Sequence, residues 1–143
     1  MHIGNGFFLL LLASICFFIS YIGIIYRPRT IVPRVITLAG IASATGSFIL
    51  LARACMTTDY SFQYVYDNVS NNLSYIYRLS ASWAGQEGSL LLWLMIAGCA
   101  CIPLLVKGRG RSVSIMPLFL FLMSVASLIF ANPFHLSDAV QND

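Results

Sequence analysis

The sequence predicts an all-α integral membrane protein with four transmembrane helices, N and C termini both extracytoplasmic, and one aromatic-rich extracytoplasmic loop between helices 2 and 3. Three observations carry this. The 143 residues are 59% hydrophobic and 9% charged, far from the balance of a soluble domain. The apolar residues fall into four runs of roughly 20 residues, the length that crosses a bilayer core as a helix. Bases and acids also segregate. Arg27, Arg29 and Arg34 follow the first run, and Lys107, Arg109 and Arg111 follow the third. Asp59, Asp67, Glu87, Asp138 and Asp143 all fall in the alternate segments. Basic loops stay on the cytoplasmic side, or the matrix side of a mitochondrion, so the acidic segments lie outside. Residues 1–143 then form a single membrane domain, with no room for a soluble domain of ordinary size. Six of the eight basic residues sit in two short loops, and the net charge of +3 points to no nucleic-acid partner.

The first span is expected over about residues 6–26. Its Phe and Leu side chains surround the helix, as suits a segment solvated by lipid. The start lacks the basic residues of a cleavable signal, so this reads as an uncleaved span. Arg27-Pro28-Arg29 ends it, because Pro28 cannot continue the ladder and disfavours helix at the residue before it. The second span is expected over about residues 35–56. Ala39, Ser43 and Ser47 fall four apart, as do Ala42 and Gly46, a spacing that lets helices approach closely in lipid. Arg53 lies near its far end, where it can snorkel to the interface or pair with an anionic group.

Residues 57–87 form the one substantial polar loop. Tyr60, Phe62, Tyr64 and Tyr66 alternate with Ser61, Gln63 and Val65, which predicts a short extended segment with an aromatic face. Asp67, Asn68, Asn71 and Asn72 read as a turn. Tyr75 to Trp83 reads as an amphipathic approach along the membrane surface. The third span is expected over about residues 88–106 and the fourth over 113–131, with Lys107 to Arg111 as a basic turn between them. Pro117 is expected near the first turn of the fourth, where proline is tolerated. Cys16, Cys55, Cys99 and Cys101 lie in or beside apolar runs and read as small hydrophobes. No metal site is expected.

The stretch Trp83-Ala84-Gly85-Gln86-Glu87-Gly88-Ser89-Leu90-Leu91-Leu92-Trp93 brings an acid, an amide, glycines and aromatics to the mouth of the third span. Glu87 suits the positive end of a helix dipole, and an acid there can equally mark a functional contact. Gly85 and Gly88 leave the backbone approachable. Trp83 and the tyrosines offer stacking surface to a flat ligand, and Arg78 a fork for a carboxylate. Interfacial anchoring explains the same aromatics. His2 and His135 are the only histidines, both outside. No Ser-His-Asp or Cys-His set, phosphate loop or paired-carboxylate site can be assembled, so the catalytic residues are unknown and the chain is not expected to be catalytic alone.

This stretch resembles the signature of the CcmF family, membrane subunits of the cytochrome c haem lyase within the haem-handling group that includes CcsA. Ile3-Gly4-Asn5-Gly6 resembles the family's opening, Tyr77-Arg78-Leu79-Ser80-Ala81-Ser82 its approach to the signature, and Asn132-Pro133-Phe134 the close of its fourth span. The resemblance covers the N-terminal part of a family member. It implies a subunit that helps position haem and apocytochrome c for covalent attachment, as the N-terminal fragment of a split or truncated CcmF-like protein. Its haem or partner contacts would fall at Trp83, Gly85, Gln86, Glu87, Gly88 and Arg78, with haem held mainly by a companion chain. The implied partners are that companion, a haem chaperone, a thiol-handling subunit and apocytochrome c, and the implied location is the inner membrane, mitochondrial in a eukaryote. Two departures matter. Gln86 stands where relatives usually carry histidine, and the tryptophan-rich haem segment is absent. The rival reading is a small non-enzymatic membrane scaffold or transporter subunit.

Overall fold

The computed structural model describes residues 3–26, 30–107 and 111–135. They form six helices: α1 (Ile3–Tyr26), α2 (Val32–Thr57), α3 (Gln63–Asn68), α4 (Tyr75–Ala81), α5 (Gln86–Lys107) and α6 (Arg111–Phe130). Three are long and apolar enough to cross a membrane: α1 from Asn5, α2 and α5. In α6 the described apolar stretch is the shorter Ile115–Phe130. With this composition and an all-helical architecture, the chain fits a membrane protein, since a helix satisfies its backbone polar groups within the segment. The basic residues Arg27, Arg29 and Arg109, which carry the orientation, lie outside the described residues, as do His2, Asp138 and Asp143.

The long helices pack as a closed set: α1 on α2 and α6, α2 on α5, and α5 on α6. Contacts give the directions. Ser47 Oγ donates to the Gly6 carbonyl at 2.9 Å, while Thr37 and Ser20 hydroxyls meet at 2.5 Å, so α1 and α2 run antiparallel. Ser14 Oγ donates to Ser124 Oγ at 2.9 Å, tying α1 to α6. Such polar contacts contribute only about 0.6 kcal/mol each in a bilayer, so close packing of small residues decides the arrangement. At Gly40 the α1 side chains press directly on the α2 backbone, since a Cβ there would stand 2.7 Å from the Phe17 ring. The buried face of α2 runs Thr37, Gly40, Ala44, Ser47, Leu51 and Ala54. Ser47 was expected on it. Ala39 and Ala42 point outward instead, because the small-residue spacing reports the period of a face and leaves its rotation open.

The polar loop departs from expectation. Residues 63–68 are a helical turn, with no strand among the described residues. Alternation lost to local bonding: Gln63 Nε2 donates to Asp67 Oδ1 at 2.8 Å and Asn68 Nδ2 to the Tyr64 carbonyl at 2.9 Å, both one helical turn apart. Phe62, Tyr64 and Val65 face inward, while Tyr66 and Asp67 face out. Thr58 ends α2 in the left-handed region (φ 52°), a rare conformation for a β-branched residue, and lets the Asp59 N–H return to the Ala54 carbonyl at 3.0 Å. Pro117 lies past the first turn of α6 and is fully buried. Neighbouring helices keep such a proline tolerable in an apolar bundle.

Candidate functional site

The signature spans the turn after α4 and the first turns of α5. Its organising contact comes from α3. Tyr64 is buried, and its hydroxyl donates to the Ala81 carbonyl at 2.9 Å and accepts the Gly85 N–H at 3.1 Å. Burial pushes the phenol up to about 12, with the Gly85 N–H opposing and the Glu87 charge reinforcing the rise. A Cβ on Gly85 would stand 2.8 Å from the Tyr64 ring, and one on Gly88 would overlap the Tyr64 hydroxyl and the Ser82 carbonyl. The approach that the two glycines leave open is therefore taken by Tyr64. Ser89 Oγ adds a bond to the Trp83 carbonyl at 2.7 Å, closing the turn.

The remaining signature side chains line the outside of this knot. Glu87 is half-buried in the first turn of α5, where its charge meets the helix dipole to the extent of about 0.3–1 kcal/mol. Its carboxylate lies beside Gly85, with Oε2 3.2 Å from a Cβ built there. It makes no hydrogen bond or ion pair with any described residue. Gln86 is exposed, and Trp83 and Trp93 are 41% and 60% exposed. Arg78 is not brought to Glu87. Its Nε donates to the Leu73 carbonyl at 3.0 Å and its Nη2 to the Asn71 carbonyl at 2.7 Å, pinning the preceding loop to α4. Tyr75, Ile76 and Tyr77 in the first turn of α4 are all exposed.

The opening and closing motifs meet. The Phe134 ring lies where a Cβ on Gly6 would begin, and it stacks edge-on with Phe62 at 6.1 Å. The Gln63 N–H donates to the His135 carbonyl at 3.0 Å, so the segment after α6 is fastened to the polar loop. Two residues organise this end through contacts that the residue pattern did not show. Tyr64 was hidden in the aromatic alternation, although the Gly85/Gly88 pair signals that something approaches there. Phe134 stood in the closing motif, and only the structure brings its ring to Gly6.

Iron-ligating side chains are few among the described residues. Gln86 offers no iron-ligating nitrogen, and His135 is the one histidine among them. No group of three or more His, Cys, Asp or Glu side chains converges as a metal site among the described residues.

No protein-family model matches the chain. Curated relatives do. The chain is 30% identical over 142 residues to the cytochrome c-type biogenesis protein NrfE of Haemophilus influenzae, a match covering 90% of this chain and 22% of that protein. It is 29% identical over 99 residues to the cytochrome c-type biogenesis protein CcmF of Escherichia coli, covering 64% of this chain and 15% of that protein. Among solved structures, the cytochrome c haem lyase CcmF shares the fold at a TM-score of 0.78 and 20% identity, over 93% of this chain and 24% of that one. The chain thus spans less than a quarter of the length of each. A shared helical fold over nearly the whole chain, joined to curated relatives that are all cytochrome c-type biogenesis proteins, makes this a CcmF-like protein that corresponds to the N-terminal part of its relatives.

Proposed function

We propose that the chain acts in cytochrome c maturation as part of a haem lyase, helping to position haem and apocytochrome c for covalent attachment. The observation that carries this is the likeness to CcmF and NrfE over most of the chain, with the signature turn held in a built position by Tyr64. In this reading four helices span the inner membrane, with α6 as the fourth, both termini and residues 57–87 outside. The rim of the signature, Trp83, Gln86 and Glu87, with the exposed first turn of α4, meets haem or a partner. Gly85, Gly88 and Arg78 shape that rim from behind. In this reading haem is held mainly by a companion chain. Haem chaperone, thiol-handling subunit and apocytochrome c would converge on the same side.

Affinity purification from native membranes tests this, read by mass spectrometry and by the absorption spectrum of the eluate. Recovery of cytochrome c maturation proteins with a Soret band, both lost on Trp83→Ala, is the expected result. A clean preparation with neither would favour the scaffold reading.

A further inference from the structure

Two hollows adjoin at the C-terminal end of α2, and Arg53 and Thr57 line both. The first, about 220 Å³, lies between the start of α1, the end of α2 and Phe62 and Phe134; Asn5, Arg53 and Asp59 supply its polar lining. The second, about 390 Å³, is an apolar groove along α2 formed by Phe48, Ile49, Ala52 and Met56, with Tyr75 of α4 beside it. Arg53 is exposed and has no hydrogen bond or ion pair from its guanidinium among the described residues. Asp59 uses Oδ1 to accept the Ser61 N–H at 3.2 Å and hydroxyl at 2.6 Å, and its Oδ2 has no partner among them.

We propose that the two hollows together bind one phospholipid with a primary-amine headgroup, of the phosphatidylethanolamine type. The phosphate sits at Arg53, the ammonium at Asp59 and an acyl chain in the groove. Charge selects the occupant. A simple anion at Arg53 would meet the Asp59 carboxylate, and a simple cation would meet Arg53. A dipolar headgroup satisfies both, and an ammonium can donate hydrogen bonds that a trimethylammonium cannot. Position agrees: a long basic side chain in the last turns of an apolar helix reaches the headgroup layer, and Tyr75 belongs to the same depth. The site requires α2 to cross the membrane and does not depend on the haem-lyase reading.

The test is lipid retention by the full chain, measured by native mass spectrometry after exchange into nanodiscs with equal fractions of phosphatidylethanolamine, phosphatidylcholine and phosphatidylglycerol. Phosphatidylethanolamine should be retained over phosphatidylcholine by about tenfold, the effect of one charge-assisted bond. Arg53→Gln should remove retention, Arg53→Lys should keep most of it, and Asp59→Asn should bring phosphatidylethanolamine down to the phosphatidylcholine level. Ala52→Trp fills the groove without touching either charge and should also lose the lipid. Soluble glycerophosphoethanolamine should not compete. Equal retention of all three lipids, preference for phosphatidylglycerol, or full competition by the soluble headgroup would each overturn the site. So would unchanged retention in correctly folded Arg53→Gln and Ala52→Trp variants, with folding checked by circular dichroism.

Discussion

The Tyr64 hydroxyl rests where a side chain on Gly88 would begin, so α3 is seated directly on the first turn of α5. The tyrosine uses both of its hydrogen-bonding capacities there, one toward the end of α4 and one toward the turn that opens α5. Three short elements of the polar loop are thereby held by one phenol.

Gly88→Ala should run against its helix propensity. An alanine in a helix interior is usually favoured over glycine by about 0.8–1 kcal/mol. Here the methyl overlaps a backbone carbonyl and the Tyr64 oxygen, and the net expectation is a loss of about 1–3 kcal/mol. Gly46→Ala, whose Cβ would meet only the tip of Leu9 at 3.3 Å, is the matched control and should be close to neutral. Unfolding titrations of the two purified variants in mild detergent decide it.

Tyr64→Phe keeps the ring and removes the oxygen. The Ala81 carbonyl and Gly85 N–H then lose their partner inside the knot, a cost of about 1–3 kcal/mol. A melting temperature equal to that of the unaltered chain would show that water replaces the phenol without loss.

The same residue should make stability fall in strong alkali. The folded phenol is raised from 10.0 to about 12, so below pH 10 it is protonated in both states and its contribution is complete. Between 10 and about 12 the unfolded tyrosine ionises first, and stability is lost across that window. The difference between the unaltered chain and Tyr64→Phe isolates this residue from the other tyrosines. That difference should shrink as pH rises through the window; a constant difference would contradict the burial.

Glu87→Gln separates capping from contact. Loss of a helix-dipole interaction alone costs under about 1 kcal/mol and should leave assembly intact. A carboxylate desolvated against a partner costs several-fold more when its charge is removed, because the partner's cation is left unpaired. We expect the second outcome: reduced cytochrome c maturation with normal membrane insertion. Asp67→Asn, an exposed acid in the same loop, should mature cytochromes normally. Wild-type maturation in both would leave the signature as an anchor.

Orientation is checked by labelling. In a cysteine-free background, a cysteine at Asn71 should react with an impermeant maleimide from outside, and one at Gly108 should not. The reverse pattern would put the signature on the wrong side for the proposed role.

The long apolar helices were legible in the sequence because lipid asks one question of a segment: whether its side chains are apolar for the full crossing while the backbone bonds to itself. The run ending at Tyr26 and the run entered at Glu87 answer it without reference to any neighbour. The signature's position at a helix mouth was legible for the same reason. Where the chain leaves lipid, residue pattern no longer decides. Tyr60 to Tyr66 alternate like a strand, yet residues 63–68 coil into a helical turn because Tyr64 and Val65 find burial on one side of it and Gln63 bonds Asp67 along its exposed side. Arg78, chosen as a partner for a carboxylate, is committed to the Asn71 and Leu73 carbonyls, which only the fold of the loop brings within reach. The face of α2 that carries Gly40 and Ala44, rather than Ala39 and Ala42, was set by the Phe17 ring that needed room. The meeting of Gly6 with Phe134 joins the two ends of the described bundle, and contacts so distant in sequence are decided by helix packing alone.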